Sequence, residues 1–188
     1  MEEQIEEKSQ EKPTFKESLF EFIKFALIAI IIVVPIRLWV AQPFIVNGDS
    51  MSPNFENGEY LIVDEFSYHF REPERGEVII FRYPQNPSKF FIKRIIGLPE
   101  ERVEIIDDQI YIYNEEFPQG ILIRESYLKE PINTANLITI LESQEYFVLG
   151  DNRTRSSDSR LWGALPEDLI MGRAWVRLWP FNKMSIIF

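Results

Sequence analysis

Three short segments hold the side chains whose types and spacing could support catalysis. In the first, Gly48-Asp49-Ser50-Met51, an apolar run leads into a turn that contains glycine. Such a turn can expose the Ser50 hydroxyl and aim backbone N–H groups at a carbonyl oxygen, which are the two requirements of a serine nucleophile. An ordinary turn has the same composition, so this segment alone leaves both interpretations open.

The second segment places a lysine inside an apolar run. Lys93 lies within residues 90–96, and with a period of two it shares one face of a strand with Phe91 and Ile95. An amine held among apolar groups loses the hydration of its charged form, so its pKa falls and the neutral amine can take a proton from a hydroxyl. The alternative is a half-exposed strand that carries Lys93 and Arg94 on its outer face.

The third segment is a dense polar run at residues 150–163, directly after an apolar run. Asp158 and Arg160 can pair within it, and its serines can position a neighbouring group. An EF-hand is excluded, because the twelfth position counted from Asp151 is Trp162 and not a glutamate. A solvated loop remains the alternative interpretation of this segment on its own.

Composition excludes several other kinds of chemistry and predicts neither a metal nor a cofactor. The 188-residue chain has no cysteine, which removes thiol catalysis, disulfides and cysteine-ligated zinc together. His69 is the one histidine, so it has no histidine or cysteine to join it at a metal site, and it lies in no recognisable catalytic context. The net charge is −10 and no basic face is visible, so a nucleic-acid partner is not expected.

Antiparallel β-strands are the elements predicted to position these segments, in a mainly β domain over residues 42–188. Runs rich in β-branched and aromatic residues alternate with clusters of Gly, Pro, Asn and Asp, which is typical of such a fold. Asp107-Asp108 predicts a hairpin between two of the runs. Residues 114–142 are more weakly patterned and are predicted to form a small insertion or cap. The predicted strands are 44–46, 60–63, 78–81, 90–96, 103–106, 110–113, 146–149 and 174–178.

One N-terminal transmembrane helix is predicted to precede the β domain. Residues 19–41 are apolar apart from a few charges, and roughly 20 apolar residues span a bilayer. Lys24 and Arg37 can lie near the two ends of the span and reach the headgroups. The polar residues 1–18 are predicted to form a flexible tail.

The distribution of lysine and arginine predicts the orientation of this segment. Four lysines precede the apolar core, whereas Arg37 is followed by no basic residue until Arg71, so the N-terminus is expected in the cytoplasm and the domain outside. A cleaved signal peptide and a buried core helix are the alternatives. The first fits poorly, because cleavage after Ala41 would put Trp39 where a small residue is required.

Taken in order behind one apolar span, these segments resemble the bacterial type I signal peptidases. The resemblance covers about residue 20 to residue 180 and leaves the tail and residues 114–142 unmatched. The matching stretches are Gly48-Asp49-Ser50-Met51-Ser52-Pro53, Arg75-Gly76-Glu77-Val78, Lys93-Arg94-Ile95-Ile96-Gly97-Leu98-Pro99, Gly150-Asp151-Asn152, Ser156, Asp158-Ser159-Arg160 and Trp162-Gly163.

The resemblance implies a serine/lysine dyad. Ser50 is expected to be the acylating nucleophile, and Lys93 the general base that later protonates the leaving amine. Ser156 matches the serine whose hydroxyl orients the lysine amine. Asp151, Asp158 and Arg160 are expected to brace the site, and Asp158 is expected to form an ion pair with Arg160.

Two positions depart from the pattern that the resemblance implies. Some family members carry a second oxyanion donor, a serine hydroxyl, two residues before the nucleophile; here Gly48 stands there, as in many Gram-positive relatives. The Ser50 N–H is then one donor, and the second is left open between a backbone group and water. Arg155 replaces a common asparagine, with no expected effect on the chemistry.

The resemblance also implies the substrate, a signal peptide of an exported preprotein. Phe44, Val46 and Ile92 match positions that line shallow apolar pockets, which suits the small-x-small pattern before a signal-peptide cut. The substrate would lie extended along strand edges in an enzyme anchored by one span in the plasma membrane. Exposed apolar residues around Met51, Trp179 and Phe181 are expected to dip into the interface of the lipid bilayer.

Two further functions stay open as alternatives. A self-cleaving repressor-type peptidase also uses serine and lysine, but it normally carries a DNA-binding segment where this chain has an apolar span. An inactive, membrane-tethered β module that binds exported chains is the other. The joint presence of Ser50, Lys93 and Ser156 argues against an inactive module. The oligomeric state is not predicted.

Overall fold

A computed structural model of the chain describes residues 15–35, 41–128 and 135–187. The chain divides into two compact units, residues 1–38 and residues 39–188. Most of the predicted tail, and residues 36–40 of the predicted anchor, lie outside the described residues.

The described part of the first unit is the helix α1, Phe15–Pro35. It begins earlier than predicted, because the end of the polar tail, Lys16 to Ser18, contains no glycine or proline and continues the helix. Large apolar side chains along α1 are exposed, among them Phe20, Phe25 and Ile31. Within the described residues, no helix has both the length and the apolar character that a membrane crossing requires.

The second unit is mainly β, as predicted. Each of the eight predicted runs lies wholly or mostly within a strand, although Val46 falls just outside the first one. Ala41, the last residue of the predicted anchor, instead begins the first strand. The strands are β1 (Ala41–Ile45), β2 (Tyr60–Asp64), β3 (Val78–Tyr83), β4 (Asn86–Gly97), β5 (Arg102–Ile106), β6 (Gln109–Tyr113), β7 (Ile121–Leu122), β8 (Leu137–Ile140), β9 (Glu145–Leu149), β10 (Leu165–Pro166), β11 (Ile170–Trp179) and β12 (Ser185–Ile186). A four-residue helix, α2 (Ser159–Trp162), precedes β10.

All the strand pairs are antiparallel, in two sheets. The larger sheet has the order β1-β2-β11-β3-β4-β9-β10, and β12 pairs with β11. The inner strand β4 pairs with β3 and β9, so Arg94 faces Leu149 directly before the third polar segment. The register therefore brings Lys93 and that segment to the same part of the sheet.

The smaller sheet has the order β7-β6-β5-β8. Asp107 and Asp108 form the predicted hairpin between β5 and β6, and both have positive φ, 48° and 61°, as a type I′ turn requires. Residues 114–142 are more than a cap, because β7 and β8 come from this range and form both edges of the sheet. Such short strands show no alternation that a sequence pattern could reveal.

The core lies in three clusters. One packs Val46, Met51 and Phe55 of the β1–β2 loop against Leu61 and Ile80 of the larger sheet. A second joins the smaller sheet to β9, and the third lies around β3, β4 and β9. The segment that carries Ser50 is therefore pinned by the core on both sides of the serine.

Candidate active site

Ser50 lies in the loop between β1 and β2, and this loop is tightly bonded to itself. The Val46 N–H donates to the Glu59 carbonyl at 2.9 Å, and the Gly58 N–H donates to the Val46 carbonyl at 2.8 Å. Gly48 has a φ of +88°, a conformation that favours glycine, and its N–H donates to the Asn57 side chain at 2.9 Å. These bonds leave Ser50 half-buried at the rim of the sheet.

Met51 anchors the same loop in the core. Its side chain is 1% exposed, so the prediction that it reaches a membrane surface is wrong. A flexible thioether fills the space under the serine, next to Phe55. Burial of Met51 therefore holds Ser50 in place.

Lys93 and Ser50 meet across 43 residues of sequence. The Lys93 Nζ lies 2.8 Å from the Ser50 Oγ and 2.8 Å from the Ile92 carbonyl oxygen. Lys93 is 3% exposed, and the amine lies 5.2 Å from the centre of the Phe91 ring. The amine is thus almost dry and in hydrogen-bonding contact with the hydroxyl.

Burial lowers the pKa of Lys93 from 10.5 to about 8, because the charged form loses its hydration. The negative charges of Asp158 and Asp151 act in the opposite direction and limit the fall in pKa. About one tenth of the amine is therefore neutral at pH 7, far more than for a lysine with a pKa of 10.5. That form has the lone pair needed to accept the Ser50 proton.

Asp151, in the loop after β9, braces the site through Arg94 of β4. The Arg94 Nε and Nη2 donate to its two oxygens at 2.9 and 2.6 Å, and Asn54 donates to it at 2.9 Å. The Asp151 carboxylate is fully buried, so this bidentate pair satisfies a charge that has no access to water. Asp151 thereby ties the β1–β2 loop, β4 and the third polar segment together.

Asp158 and Arg160 form the predicted ion pair. The Arg160 Nε and Nη2 each lie 2.8 Å from an Asp158 oxygen. Asp158 is 0% exposed, caps α2 and also accepts the Gly150 N–H at 3.0 Å. The pair closes residues 150–160 into one compact loop.

Gly150 permits the closest approach in the site. A Cβ at this position would overlap the side chain of Ser156 and the carbonyl oxygen of Ser50. The same Ser50 carbonyl accepts the Asn152 N–H at 3.0 Å. The absence of a side chain at Gly150 therefore lets the third segment contact the backbone of the serine directly.

Ser156 is close to the serine but does not contact the lysine amine in this structure. Its Oγ is buried and has no hydrogen-bond partner among the described residues. The two oxygen atoms that the Lys93 Nζ contacts are those of Ser50 and Ile92. The orienting role of Ser156 stays a prediction.

A cleft of about 520 Å³ opens beside Ser50 and Lys93. Phe44 and Ile92 line it, as expected of residues that bind substrate side chains. The prediction that Val46 lines it too is wrong, because Val46 is 1% exposed and packs in the core cluster that also contains Ile92. Val46 supports the cleft from behind and does not form its surface.

Several polar residues of the site carry no recognisable pattern in the sequence. Arg153 is 4% exposed, and a buried guanidinium needs a carboxylate partner, but the sequence does not say which. The partner is Glu125, in the weakly patterned range 114–142. Asn54 and Tyr127 are missed as well, whereas Arg94 and Gly150 lie in the matching stretches but have no predicted role.

A serine hydroxyl in contact with a buried amine, beside an open cleft, is the arrangement that a serine hydrolase with a lysine base would need. Comparison with known proteins agrees with this class. The chain belongs to the signal peptidase family, peptidase S26, whose family model matches residues 19–179.

Individual relatives match over most of their length. The chain is 36% identical to signal peptidase I of Leptolyngbya laminosa, over 93% of this chain and 86% of that one. It is 31% identical to signal peptidase IB of Staphylococcus aureus, strain MRSA252, over 92% and 96% of the two chains. A solved signal peptidase I from Enterococcus faecalis is 33% identical, with a TM-score of 0.47 over 55% of this chain and 97% of that chain.

Proposed function

We propose that this protein is a membrane-bound serine endopeptidase that removes signal peptides from exported preproteins, with Ser50 as nucleophile and Lys93 as general base. The 2.8 Å contact between the buried Lys93 Nζ and the Ser50 Oγ carries the proposal, because it pairs a nucleophile with a base of suitable pKa. Family membership and the named relatives support the substrate class.

The first half of the reaction forms an acyl-enzyme. The neutral Lys93 amine takes the Ser50 proton while the Ser50 oxygen attacks the scissile carbonyl carbon. The resulting ammonium then donates its proton to the departing amine of the mature protein, and the peptide bond breaks. Lys93 is neutral again, and the signal peptide is held as an ester on Ser50.

The second half reverses the roles with water as nucleophile. Lys93 takes a proton from water, the hydroxyl oxygen attacks the ester, and Ser50 leaves with the proton from Lys93. The Ser50 N–H is the proposed donor to the oxyanion in both halves. The Gly48 N–H cannot serve without losing its bond to Asn57, so a second donor has to come from elsewhere.

Strand edges give the substrate a place to bind in extended form. β1 is an edge strand of the larger sheet, and its residue Phe44 lines the cleft opposite Ile92 of β4. A peptide laid along these strands gains main-chain hydrogen bonds. Its alternate side chains then point into shallow apolar pockets, which suit the small residues of a small-x-small site.

Replacement of each dyad member tests the chemistry. Ser50→Ala and Lys93→Ala should each lower cleavage of a preprotein with an Ala-x-Ala site by more than about a thousandfold, because the nucleophile and the base work only together and each variant removes one of them. Ser143→Ala, an exposed serine on the β8–β9 turn, is the matched control and should keep full activity. Substantial residual cleavage by either dyad variant would refute the dyad.

The same assay separates the two alternative functions. A self-cleaving peptidase would shorten its own chain and leave the added preprotein intact. An inactive β module would retain the preprotein without cutting it or itself. Release of mature protein at the small-x-small site by the wild-type chain excludes both alternatives.

The membrane anchor is a separate part of the proposal. The proposed span begins at residue 19 and ends before β1, with the N-terminus in the cytoplasm. The exposed apolar side chains of α1 support it, because large apolar surfaces seek an apolar environment. Cell fractionation without detergent should recover the intact chain with membranes, and extraction should require detergent. Recovery of the intact chain in the soluble fraction would contradict the anchor.

A further inference from the structure

Glu125 reaches from the weakly patterned segment into the support of the site. The Arg153 Nη1 donates to the Glu125 Oε2 at 2.7 Å, and the Arg153 Nη2 contacts the other carboxylate oxygen. The exposed fractions of the two side chains are 1% for Arg153 and 7% for Glu125. This is a bidentate ion pair closed off from water, in a segment with no strand between β7 and residue 128.

Tyr127 makes three contacts on the same side of the site. Its hydroxyl donates to the Glu125 Oε1 at 2.5 Å, and its ring lies 4.1 Å from the guanidinium carbon of Arg94. Its backbone carbonyl accepts the Asn54 amide at 3.1 Å. Tyr127 therefore touches both the arginine and the asparagine that hold Asp151.

The contacts of Glu125 and Tyr127 converge on the loop that follows β9. The Arg153 Nε donates to the Gly150 carbonyl at 3.0 Å, while Arg94 holds Asp151 one residue further on. This short stretch is the one that donates the Asn152 N–H to the carbonyl of Ser50. Arg153 thus fixes Gly150 and Arg94 fixes Asp151, and these two arginines are in turn contacted by Glu125 and Tyr127.

We propose that Glu125 and Tyr127 are positioning residues for the reaction of Ser50 and Lys93, which they never touch. They act through Arg153 and Arg94, which set the distance of the loop after β9 from the serine backbone. This inference rests on the proposed function. A buried ion pair stabilises a fold less than apolar packing of the same volume does. A pair at this position is therefore better explained by the geometry that it fixes than by the stability that it adds.

The smaller sheet offers a matched control. The Tyr113 ring lies 4.0 Å from the guanidinium carbon of Arg102, whose Nε lies 3.2 Å from the Glu104 Oε1. The same three residue types thus form a related cluster in the β5–β6 hairpin, built on one arginine that is more exposed than Arg153. Substitutions there report what loss of such a cluster does to folding alone.

The experiment compares Glu125→Gln and Tyr127→Phe with Glu104→Gln and Tyr113→Phe in the full-length protein. At a temperature where circular dichroism shows every variant folded, kcat for a small-x-small peptide should fall about tenfold or more in Glu125→Gln, since small misplacements of reacting groups cost that much. Tyr127→Phe keeps the ring, so its kcat should fall several-fold less than that of Glu125→Gln. KM should stay within about twofold, because the cleft lining is untouched, and both controls should keep the wild-type kcat.

Three results would overturn the positioning role. They are an unchanged kcat in Glu125→Gln, an equal loss in the control variants, or a loss of rate that only follows the unfolded fraction. Tyr127→Phe carries the test if Glu125→Gln does not fold, and Glu125→Asp, which keeps the charge, should restore part of the rate. Ser50→Ala in the same assay separates the two proposals. Retained activity in Ser50→Ala would refute the dyad. An inactive Ser50→Ala together with a wild-type kcat in Glu125→Gln would refute only the positioning role.

Discussion

Burial and charge act on the Lys93 amine in opposite directions. Loss of hydration lowers its pKa, and the carboxylates of Asp158 and Asp151 raise it, with a net value of about 8. Both carboxylates are already paired with arginines, Arg160 and Arg94, which reduces their pull on the lysine. The ion pairs therefore do more than brace the loop, because they leave burial as the dominant influence on the base.

The pH dependence of the rate follows from this balance. Lys93 acts as a base only when neutral, so kcat/KM should rise about tenfold per pH unit below the pKa and level off above it. We expect the midpoint near pH 8 in a peptide assay between about pH 5 and pH 10. Lys93→Arg, whose guanidinium stays charged, should show no activity across the range. A rate that is the same at acid and neutral pH would contradict a lysine base.

Gly150→Ala should damage the chemistry more than the fold. The added methyl group would meet the Ser156 side chain and the Ser50 carbonyl, so the serine must shift. We expect kcat to fall on the order of a hundredfold, with a loss of about 1–3 kcal/mol in the free energy of unfolding. Peptide kinetics and urea denaturation measure the two effects.

Gly172→Ala is the control for this substitution. A Cβ there would meet the backbone carbonyl of Asp64 in the neighbouring strand β2, which is an overlap of the same kind away from Ser50. It should lower stability by a similar amount while the folded enzyme keeps its kcat. If both variants lose the same activity, the close approach at Gly150 has no special importance for the serine.

Sequence patterns reveal single residues here only through their combination. Ser50 and Lys93 each have an ordinary interpretation on their own, and they could be predicted because several segments follow one another in an order that resembles one family. Glu125 could not, because its significance comes from Arg153, which is 28 residues away in sequence and reached only through the fold. Ser50 and Met51 show the same limit, since neighbours in one turn differ completely in burial.

At the scale of elements, the long strands could be predicted from composition and alternation. β3, β4 and β9 hold the buried runs Ile79 to Phe81, Ile92 to Ile96 and Tyr146 to Leu149, and each stands out as an apolar stretch between turn residues. The two-residue strands β7, β10 and β12 have no length over which a period could appear. Their pairing is decided by tertiary contacts, such as that of β10 with β9.

The arrangement of the elements explains why the three polar segments meet. β4 lies between β3 and β9, and because Leu149 at the end of β9 pairs with Arg94, the loop after β9 begins in the middle of β4, beside Lys93 and Arg94. The β1–β2 loop is pinned beside it through the bond between Ser50 and Asn152. An antiparallel sheet thus assembles residues 50, 93 and 151–160, although no local pattern in the sequence gives their order in space.

At the scale of the whole molecule, the protein exposes an aromatic surface at the end of β11. The rings of Trp179 and Phe181 lie 4.8 Å apart in an edge-to-face contact, with exposed fractions of 48% and 71%. Met184 and Ile186 are also more than half exposed beside them in sequence. Indole and phenyl groups partition into the interfacial region of a bilayer, so this surface, without the buried Met51, is the expected membrane contact of the β domain.

Trp179→Ser with Phe181→Ser tests this contact. Loss of two interfacial aromatics should lower cleavage of a preprotein in lipid vesicles by about thirtyfold or more, since each large apolar side chain contributes about 1–2 kcal/mol on transfer from water. Cleavage of a short soluble peptide should be unchanged, because neither residue lines the cleft. The ratio of the two rates, measured for the same preparation, isolates the effect of the membrane from any effect on Ser50.

Phe70→Ser separates a specific membrane surface from a general loss of apolar area. Phe70 is 76% exposed and packs against another aromatic ring, Phe66 at 4.9 Å, but it lies in the turn after β2. It should leave both rates unchanged if the end of β11 is the part that meets the lipid. If Phe70→Ser and the double variant lose the same activity in vesicles, exposed aromatic residues act without regard to their position. If the double variant cleaves in vesicles as fast as the wild type, the end of β11 is not a membrane contact.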